Sequence, residues 1–348
     1  MEEREKIKLG ISIGDLNGIG CEVILKTFED SRMLDFCTPV IFASNKTLSA
    51  QQKELGFDIK YNGVQEASNA IDGKINVVNV WKEIPTINYG EATKEAGQYA
   101  LQSLRAAVEA LKTDAIDVLV TAPINKNNIQ AEDFKFPGHT DFLAQELDGE
   151  SLMFMVTEDL KVGLLTDHVP VKDVPSAINS ILIRSKVRTI EKSLRMDFAV
   201  RSPKVALLGI NPHTGDNGVI GTEDDEVLRP IIKEMSDAGH LVFGPYSADS
   251  FFGSKNYKHF DAVLAAYHDQ GLIPFKTLSF GRGVNFTAGL SKVRTSPDHG
   301  TAYEIAGKGE ADHSSFKEAV FTAITVFRNR KEYQKLTENP LQRQRTRR

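Results

Sequence analysis

Apolar residues along this 348-residue chain gather into short strand-like runs that alternate with helix-like stretches. That alternation predicts βαβ units around a largely parallel sheet. Ile7, Leu9, Ile11 and Ile13 recur at every second position and predict the first strand, with residues 21–28 following as a helix. Further strands are expected at 39–43, 75–80 and 116–121. Between the last two, residues 92–112 carry Ala96, Tyr99, Ala100, Leu104, Ala107, Val108 and Leu111 at spacings of three and four, the signature of one buried helix face. Beyond Thr121-Ala-Pro-Ile-Asn-Lys126 the pattern becomes more polar, and a domain crossing is expected there. Residues 152–156, 162–166, 205–210, 262–267 and 284–290 read as strands of a second sheet system, with a helix at 180–195. A last helix at 314–328 presents Phe316, Ala319, Val320, Ala323, Ile324 and Phe327 on one face and is expected to return to the first domain. The chain is thus expected to be an α/β protein of two domains, residues 1–130 with 300–335 and residues 131–299, followed by a tail at 336–348. The sequence contains no internal repeat or low-complexity tract.

Composition narrows the function classes. With 41% hydrophobic and 26% charged residues, the chain has the make-up of a soluble globular enzyme. A net charge of -5 argues against a nucleic-acid surface, and Arg343, Arg345, Arg347 and Arg348 read as a solvated basic tail. Cys21 and Cys37 are the only cysteines, too few for a disulfide framework. No secretory h-region opens the chain, and no apolar stretch approaches the roughly 20 residues of a membrane span. A cytoplasmic location without membrane partners is the expectation.

Three histidines end apolar runs: His168 after Val162-Gly-Leu-Leu-Thr-Asp, His213 after Val205-Ala-Leu-Leu-Gly-Ile-Asn-Pro, and His268 after Val263-Leu-Ala-Ala-Tyr. Open α/β sheets bind ligands at strand ends, and three neutral imidazoles converging there would suit a zinc-like ion with an open position. Asp167 and Asp269 adjoin two of them, close enough to orient a ring or take a proton. Gly14-Asp-Leu-Asn-Gly18-Ile-Gly20 departs from the GxGxxG dinucleotide fingerprint and could serve equally as a tight turn or an anion-binding loop. Gly138-His139-Thr140 opens a helix, where Thr140 could cap it or join His139 in binding an anion. The segment 211–223, rich in Gly and Asn, is long enough to be functional. Lys276, Asn285 and Arg294 cluster after His268, and lysine with arginine suits a phosphate or carboxylate.

Asp298-His-Gly-Thr-Ala-Tyr-Glu-Ile-Ala-Gly-Lys-Gly309 resembles the cofactor loop of the β-decarboxylating isocitrate and isopropylmalate dehydrogenases, which bind nicotinamide dinucleotides without a Rossmann fold. Together with Thr121–Lys126, Gly138–Thr140, Asn211-Pro-His213, Tyr267-His-Asp-Gln-Gly271, Gly281-Arg-Gly-Val-Asn285 and Arg294-Thr-Ser, the chain resembles the 4-hydroxythreonine-4-phosphate dehydrogenase family from its first strand to its last helix. The resemblance implies an isocitrate/isopropylmalate dehydrogenase-like fold. It also implies oxidation of the C3 hydroxyl of 4-phosphooxy-L-threonine by NAD or NADP, then loss of CO2, in pyridoxal phosphate synthesis. By the same resemblance His168, His213 and His268 hold a divalent metal, zinc ahead of cobalt, magnesium or manganese, in a site shared across a homodimer. His139, Thr140, Lys276, Asn285 and Arg294 match its substrate-binding positions, and Gly14, Asp15, Asn211, His299, Gly300 and Thr301 are expected at the dinucleotide. Asp249 and Asp269 are candidate bases, and Lys276 a candidate acid for the enolate.

The sequence departs from the family at Leu16-Asn17 and Cys21. Asp312 stands where the wider group often has an adenine-contacting asparagine, so NAD and NADP stay open. A paralogue acting on 4-phosphoerythronate or a phosphothreonate is the nearest rival. An acyltransferase of phosphotransacetylase type is less favoured, because it needs neither the histidines nor the His299 loop, and a purely ligand-binding protein leaves that loop without a role.

Overall fold

In a computed structural model that describes residues 6–131, 136 and 139–339, the apolar runs become strands of a single 12-stranded sheet. In chain order, β1 (Ile7–Ser12) leads into α1 (Gly20–Glu29) and β2 (Cys37–Ala43) into α2 (Asn45–Glu54). The edge strand β3 (Tyr61–Val64) and its neighbour β4 (Ile75–Asn79) precede α3 (Lys94–Lys112) and β5 (Val118–Thr121). Next come α4 (His139–Glu146), β6 (Gly149–Val156), β7 (Lys161–Leu164), the short α5 (Val174–Ala177), α6 (Ser180–Met196) and β8 (Val205–Leu208). The chain finishes with α7 (Arg229–Asp237), β9 (Val242–Tyr246), α8 (Ala248–Gly253), β10 (Ala262–Ala265), α9 (His268–Ser279), β11 (Val284–Leu290), β12 (Val293–Pro297) and α10 (Ser314–Glu338).

The spatial order is β3-β4-β2-β1-β5-β12-β11-β6-β7-β10-β8-β9. From β3 to β12 every pairing is parallel, and so are β7, β10, β8 and β9. Between these blocks β12 with β11, β11 with β6, and β6 with β7 pair antiparallel. The expected second sheet system is therefore continuous with the first. The reason is β12: the chain turns back after β11 and places a strand beside β5, bridging the two blocks.

Strand alternation then sorts the side chains of the centre. On β11, Val284, Phe286 and Ala288 enter the main core with Leu152, Phe154 and Val156 of β6. Asn285 and Thr287 therefore face the other side, where their partners across the ladder are Met155 and Met153. Helices α6 and α10 cover the core side of this centre, and α9 lies over β7 and β10. In α3 the apolar stripe Ala96, Ala100, Leu104, Ala107, Val108 and Leu111 is buried, and the helix starts where Thr93 Oγ1 accepts from Ala96 N at 3.2 Å. Gly97 of α3 lets the loop after β5 lie directly on the helix, because a Cβ there would stand 2.1 Å from the Asn128 carbonyl. No helix among the described residues is long and apolar enough to cross a membrane, and the four arginines of the expected tail lie outside them.

Helix α10 runs ten residues past its expected end, and a buried ion pair explains part of the extension. Arg330 Nε donates to Asp197 Oδ1 at 2.6 Å, and its Nη1 donates to the carbonyls of Leu290 and Ser291 at 3.1 and 3.0 Å. Asp197, fully buried, also accepts from Ser193 Oγ at 2.6 Å. The pair ties the last helix to α6 and to the β11–β12 turn. Removing one partner strands the other charge, so Asp197→Ala is expected to cost about 3–5 kcal/mol, whereas Asp197→Leu with Arg330→Met should recover most of that loss. Denaturant unfolding of the two variants checks it.

Candidate active site

The faces described above leave a cleft of about 300 Å³ over the antiparallel centre. Its lining includes Met153, Met155, Asn285, Arg294 and Ser296 from the strands, Leu272 and Lys276 from α9, and Pro123, Ile124 and Lys126 from the loop after β5. His168, His268, Pro297, Asp298, His299 and Gly300 complete it. Sequence separation here exceeds 170 residues, so only the sheet order brings these groups together.

Arg294 is the dominant charge. It is 1% exposed, and among the described residues its nitrogens meet hydroxyls alone: Nε and Nη2 donate to Thr121 Oγ1 at 3.1 and 2.6 Å, and Nη1 donates to Thr287 Oγ1 at 3.2 Å. Burial pulls its pKa down to about 9, so at neutral pH it remains a cation, and among the described residues no carboxylate pairs with it. A buried charge in that condition is costly until an anion arrives. Lys276 Nζ sits 3.1 Å from both the side-chain Oδ1 and the carbonyl of Asp298. Burial raises the Asp298 pKa, and the Lys276 ammonium opposes the rise. Among the described residues, two cleft atoms are buried with no partner, Asn285 Oδ1 and His299 Nε2. Both can engage a ligand without breaking an existing bond.

The imidazoles of His168 and His268 stand with ring centroids 6.0 Å apart. They follow β7 and β10, which are neighbours in the sheet. Asp269 Oδ1 lies 2.7 Å from His268 Nδ1, which fixes the ring and leaves Nε2 outward, the orientation a carboxylate gives a metal-binding histidine. His213 follows the next strand, β8, yet does not line this cleft. It lies beside Asp249, whose pKa is lowered, first by the Ser247 hydroxyl at 2.7 Å and more weakly by His213. Among the described residues of one chain, no three His, Cys, Asp or Glu side chains could together hold a metal ion. The donor chemistry fits a borderline ion, but one chain offers two imidazoles to it.

The remaining expected residues have structural partners. Asp15 is fully buried and accepts from Asn17 N, Asn128 Nδ2 and Tyr303 Oη at 2.9, 2.7 and 2.9 Å, so it braces three loops. Gly14, at φ +75°, brings the first loop against Pro123, where a Cβ would stand 2.4 Å from the carbonyl. Asn211 Nδ2 donates to Glu223 and Asp224 at 2.8 and 3.0 Å, which holds the turn carrying His213. The Thr301 carbonyl accepts from Ile19 N at 3.0 Å, docking the 299–301 loop on the first βα turn. His139 and Thr140 open α4, and their side chains lie outside the described residues. Sequence reasoning passed over Thr121, Lys126, Thr287 and Asp298 as site residues. Thr287 carried a signal, standing two positions from Asn285 on the same strand face.

A mostly parallel α/β sheet with a cation-lined cleft at its antiparallel centre defines an enzyme site for a small anionic substrate. Over residues 35–323 the chain matches the family described as pyridoxal phosphate biosynthetic protein PdxA, and it belongs to that family of oxidoreductases acting on CH–OH groups. The 4-hydroxythreonine-4-phosphate dehydrogenase of Bacteroides thetaiotaomicron strain VPI-5482 is 46% identical over 344 residues, covering 98% of this chain and 94% of that protein. That of Sulfurihydrogenibium sp. strain YO3AOP1 is 40% identical, covering 93% and 100%. The crystal structure of 4-hydroxythreonine-4-phosphate dehydrogenase from Klebsiella pneumoniae is similar at a TM-score of 0.80 and 30% identity, covering 94% of this chain and 99% of that one.

An anion that satisfies Arg294 should stabilise the fold. Inorganic phosphate at ten times its Kd is expected to contribute about 1.4 kcal/mol, raising Tm by about 2 °C for a chain of this size. Arg294→Met should abolish that rise, as calorimetric scans with and without phosphate would measure.

Proposed function

We propose that the chain oxidises the C3 hydroxyl of 4-phosphooxy-L-threonine with NAD or NADP and then releases its carboxylate as CO2, giving 3-amino-2-oxopropyl phosphate for pyridoxal phosphate synthesis. The observation that carries this reading is the pairing, in one cleft, of an uncompensated buried cation with two oriented imidazoles: Arg294 on one side, His168 and His268 on the other. A phosphorylated hydroxy acid has an anion for the first and a hydroxyl for the second. The relatives' names supply the particular substrate.

When bound, a divalent ion and the dinucleotide supply the Lewis acid and the hydride acceptor. His168 and His268 would hold the ion from one subunit. His213 would come from a second copy, with Asp249 beside it, so the metal site of a homodimer is completed across its interface. Zinc suits three imidazoles better than cobalt, magnesium or manganese do in a cytoplasmic protein of this kind. Arg294 and Asn285, together with His139 and Thr140 at the start of α4, bind and orient the anionic groups of the substrate. His299, Gly300 and Thr301 would flank the dinucleotide, with Asp15 holding Tyr303 just after them, Gly14 bringing the first loop against Pro123, and Asn211 holding the turn that carries His213. Asp269 is engaged by His268, which leaves Asp249 the better base for the hydroxyl proton. Lys276, held by Asp298, delivers a proton to the carbon that loses CO2. A division into residues 1–130 with 300–335 and residues 131–299 would put the cleft near their junction, with β12 of the second segment paired to β5 of the first.

Purified protein should reduce NAD or NADP on 4-phosphooxy-L-threonine, lose that activity on chelation, and regain it with zinc. Faster turnover on 4-phosphoerythronate or a phosphothreonate would keep the site and reassign the substrate. No reduction with any of these would overturn the dehydrogenase reading. A mixing experiment tests the shared site. His213→Ala and Lys276→Ala should each be inactive, and subunits exchanged between them should recover about a quarter of the wild-type sites, because each mixed dimer rebuilds one site of two. No recovery in dimers verified as mixed would place all three histidines in one chain.

A further inference from the structure

Strand β12 lies between β5 and β11, and Arg294 on β12 is bracketed by one threonine from each neighbour. Thr121 ends β5 and receives both Nε and Nη2, at 3.1 and 2.6 Å. Thr287 on β11 receives Nη1 at 3.2 Å. Both threonines are fully buried. A guanidinium has about five N–H donors in a fixed fork. These contacts take three of them, leaving one on each terminal nitrogen beside the cleft.

Hydroxyls make an unusual choice for this task. A carboxylate at either position would hold the fork with stronger, charge-assisted bonds, as Asp197 does for Arg330 in the same molecule. It would also discharge the cation. Hydroxyl oxygens fix the plane of the guanidinium and leave its full charge for a ligand. We infer that Thr121 and Thr287 are positioning residues that hold Arg294 rigid and un-neutralised, and so create the preference of the cleft for an anionic group of the substrate. This rests on the reading that Arg294 receives that group, whether phosphoryl or carboxylate.

Isothermal titration with inorganic phosphate and, separately, with oxalate tests the inference without any turnover. Thr121→Val is expected to weaken binding of one or both anions about ten- to hundredfold, the loss of hydrogen bonds to a charged group, and Thr121→Ser should restore it to near the wild-type value. Thr287→Val should have a smaller effect, since it removes one longer bond. Loss for phosphate alone assigns Arg294 to the phosphoryl group, and loss for oxalate alone assigns it to the carboxylate. In turnover, the Val variants should raise KM with kcat within about threefold, because the lost interaction is uniform binding. If Thr121→Val does not fold, Thr287→Asp serves instead: it keeps a hydrogen-bond acceptor and should still abolish anion binding. Val variants that fold and bind both anions as wild type does would overturn the inference, as would Thr287→Asp binding them normally. Normal anion binding by a wild-type protein that oxidises none of the substrates would sink the proposed function and leave this inference standing.

Discussion

The structure depends on an antiparallel seam. Two parallel blocks, each able to feed loops to its own strand ends, are joined through β12, β11, β6 and β7, and it is the face of these central strands that becomes the floor of the cleft. Parallel strands are normally covered on both faces and read as continuous apolar runs. The seam escapes that rule. Phe286 and Phe154 fill the core on one side, and Asn285, Thr287, Arg294 and Ser296 stand on the other. One period-two alternation therefore specifies both the packing that holds the blocks together and the polar groups they enclose.

The same residue set sets stability against function. Arg330 and Arg294 are both buried arginines, solved in opposite ways. Arg330 is paired with Asp197 and two backbone carbonyls besides, and locks α10 to α6. Arg294 keeps its charge. A buried unpaired cation lowers the stability of the ligand-free chain, and the surrounding sheet, with α10 against β12 and β11, supplies the rigidity that tolerates it. Its binding energy is then released only toward an anion, which is what preorganised recognition requires.

Much of this was legible in the sequence. The strands at 7–13, 39–43 and 284–290 and the helices at 92–112 and 180–195 have clean periodicity, and their observed counterparts agree to within a few residues. What was hidden has physical causes. Helix α9 contains Pro274 and begins within a polar string, so no helix was expected there. Strand β12 is Val-Arg-Thr-Ser-Pro, with its largest side chain charged, and nothing in the local pattern announces a fully buried strand. Missing β12 meant missing the bridge between the blocks, hence the expectation of two sheet systems. Lys276, Asn285, Arg294, His168 and His268, which the fold brings to one cleft, were singled out by residue type and setting. Thr121 and Thr287 were not, because a threonine in a strand is ordinary until its guanidinium partner is known.

His213 is the group that local geometry separates from the others. Residues 213–218 all have positive φ, from 44° at Asp216 to 88° at Gly218, a left-handed turn that costs roughly 1–2 kcal/mol for each non-glycine residue. Four of those six positions carry side chains: His213, Thr214, Asp216 and Asn217. The turn persists because Asp224, fully buried, accepts from Ile210 N and Asn211 N at 2.9 Å each, and Arg229 Nη2 donates to Thr214 Oγ1 at 3.0 Å. Strain held in place by such an anchor marks a segment whose shape is required by something other than its own stability. A relaxed turn after β8 would leave His213 to follow the strand, as His168 and His268 do after β7 and β10. The left-handed turn instead carries the imidazole of His213 away from the cleft that His168 and His268 line, with Val219 and Ile220 exposed just beyond it.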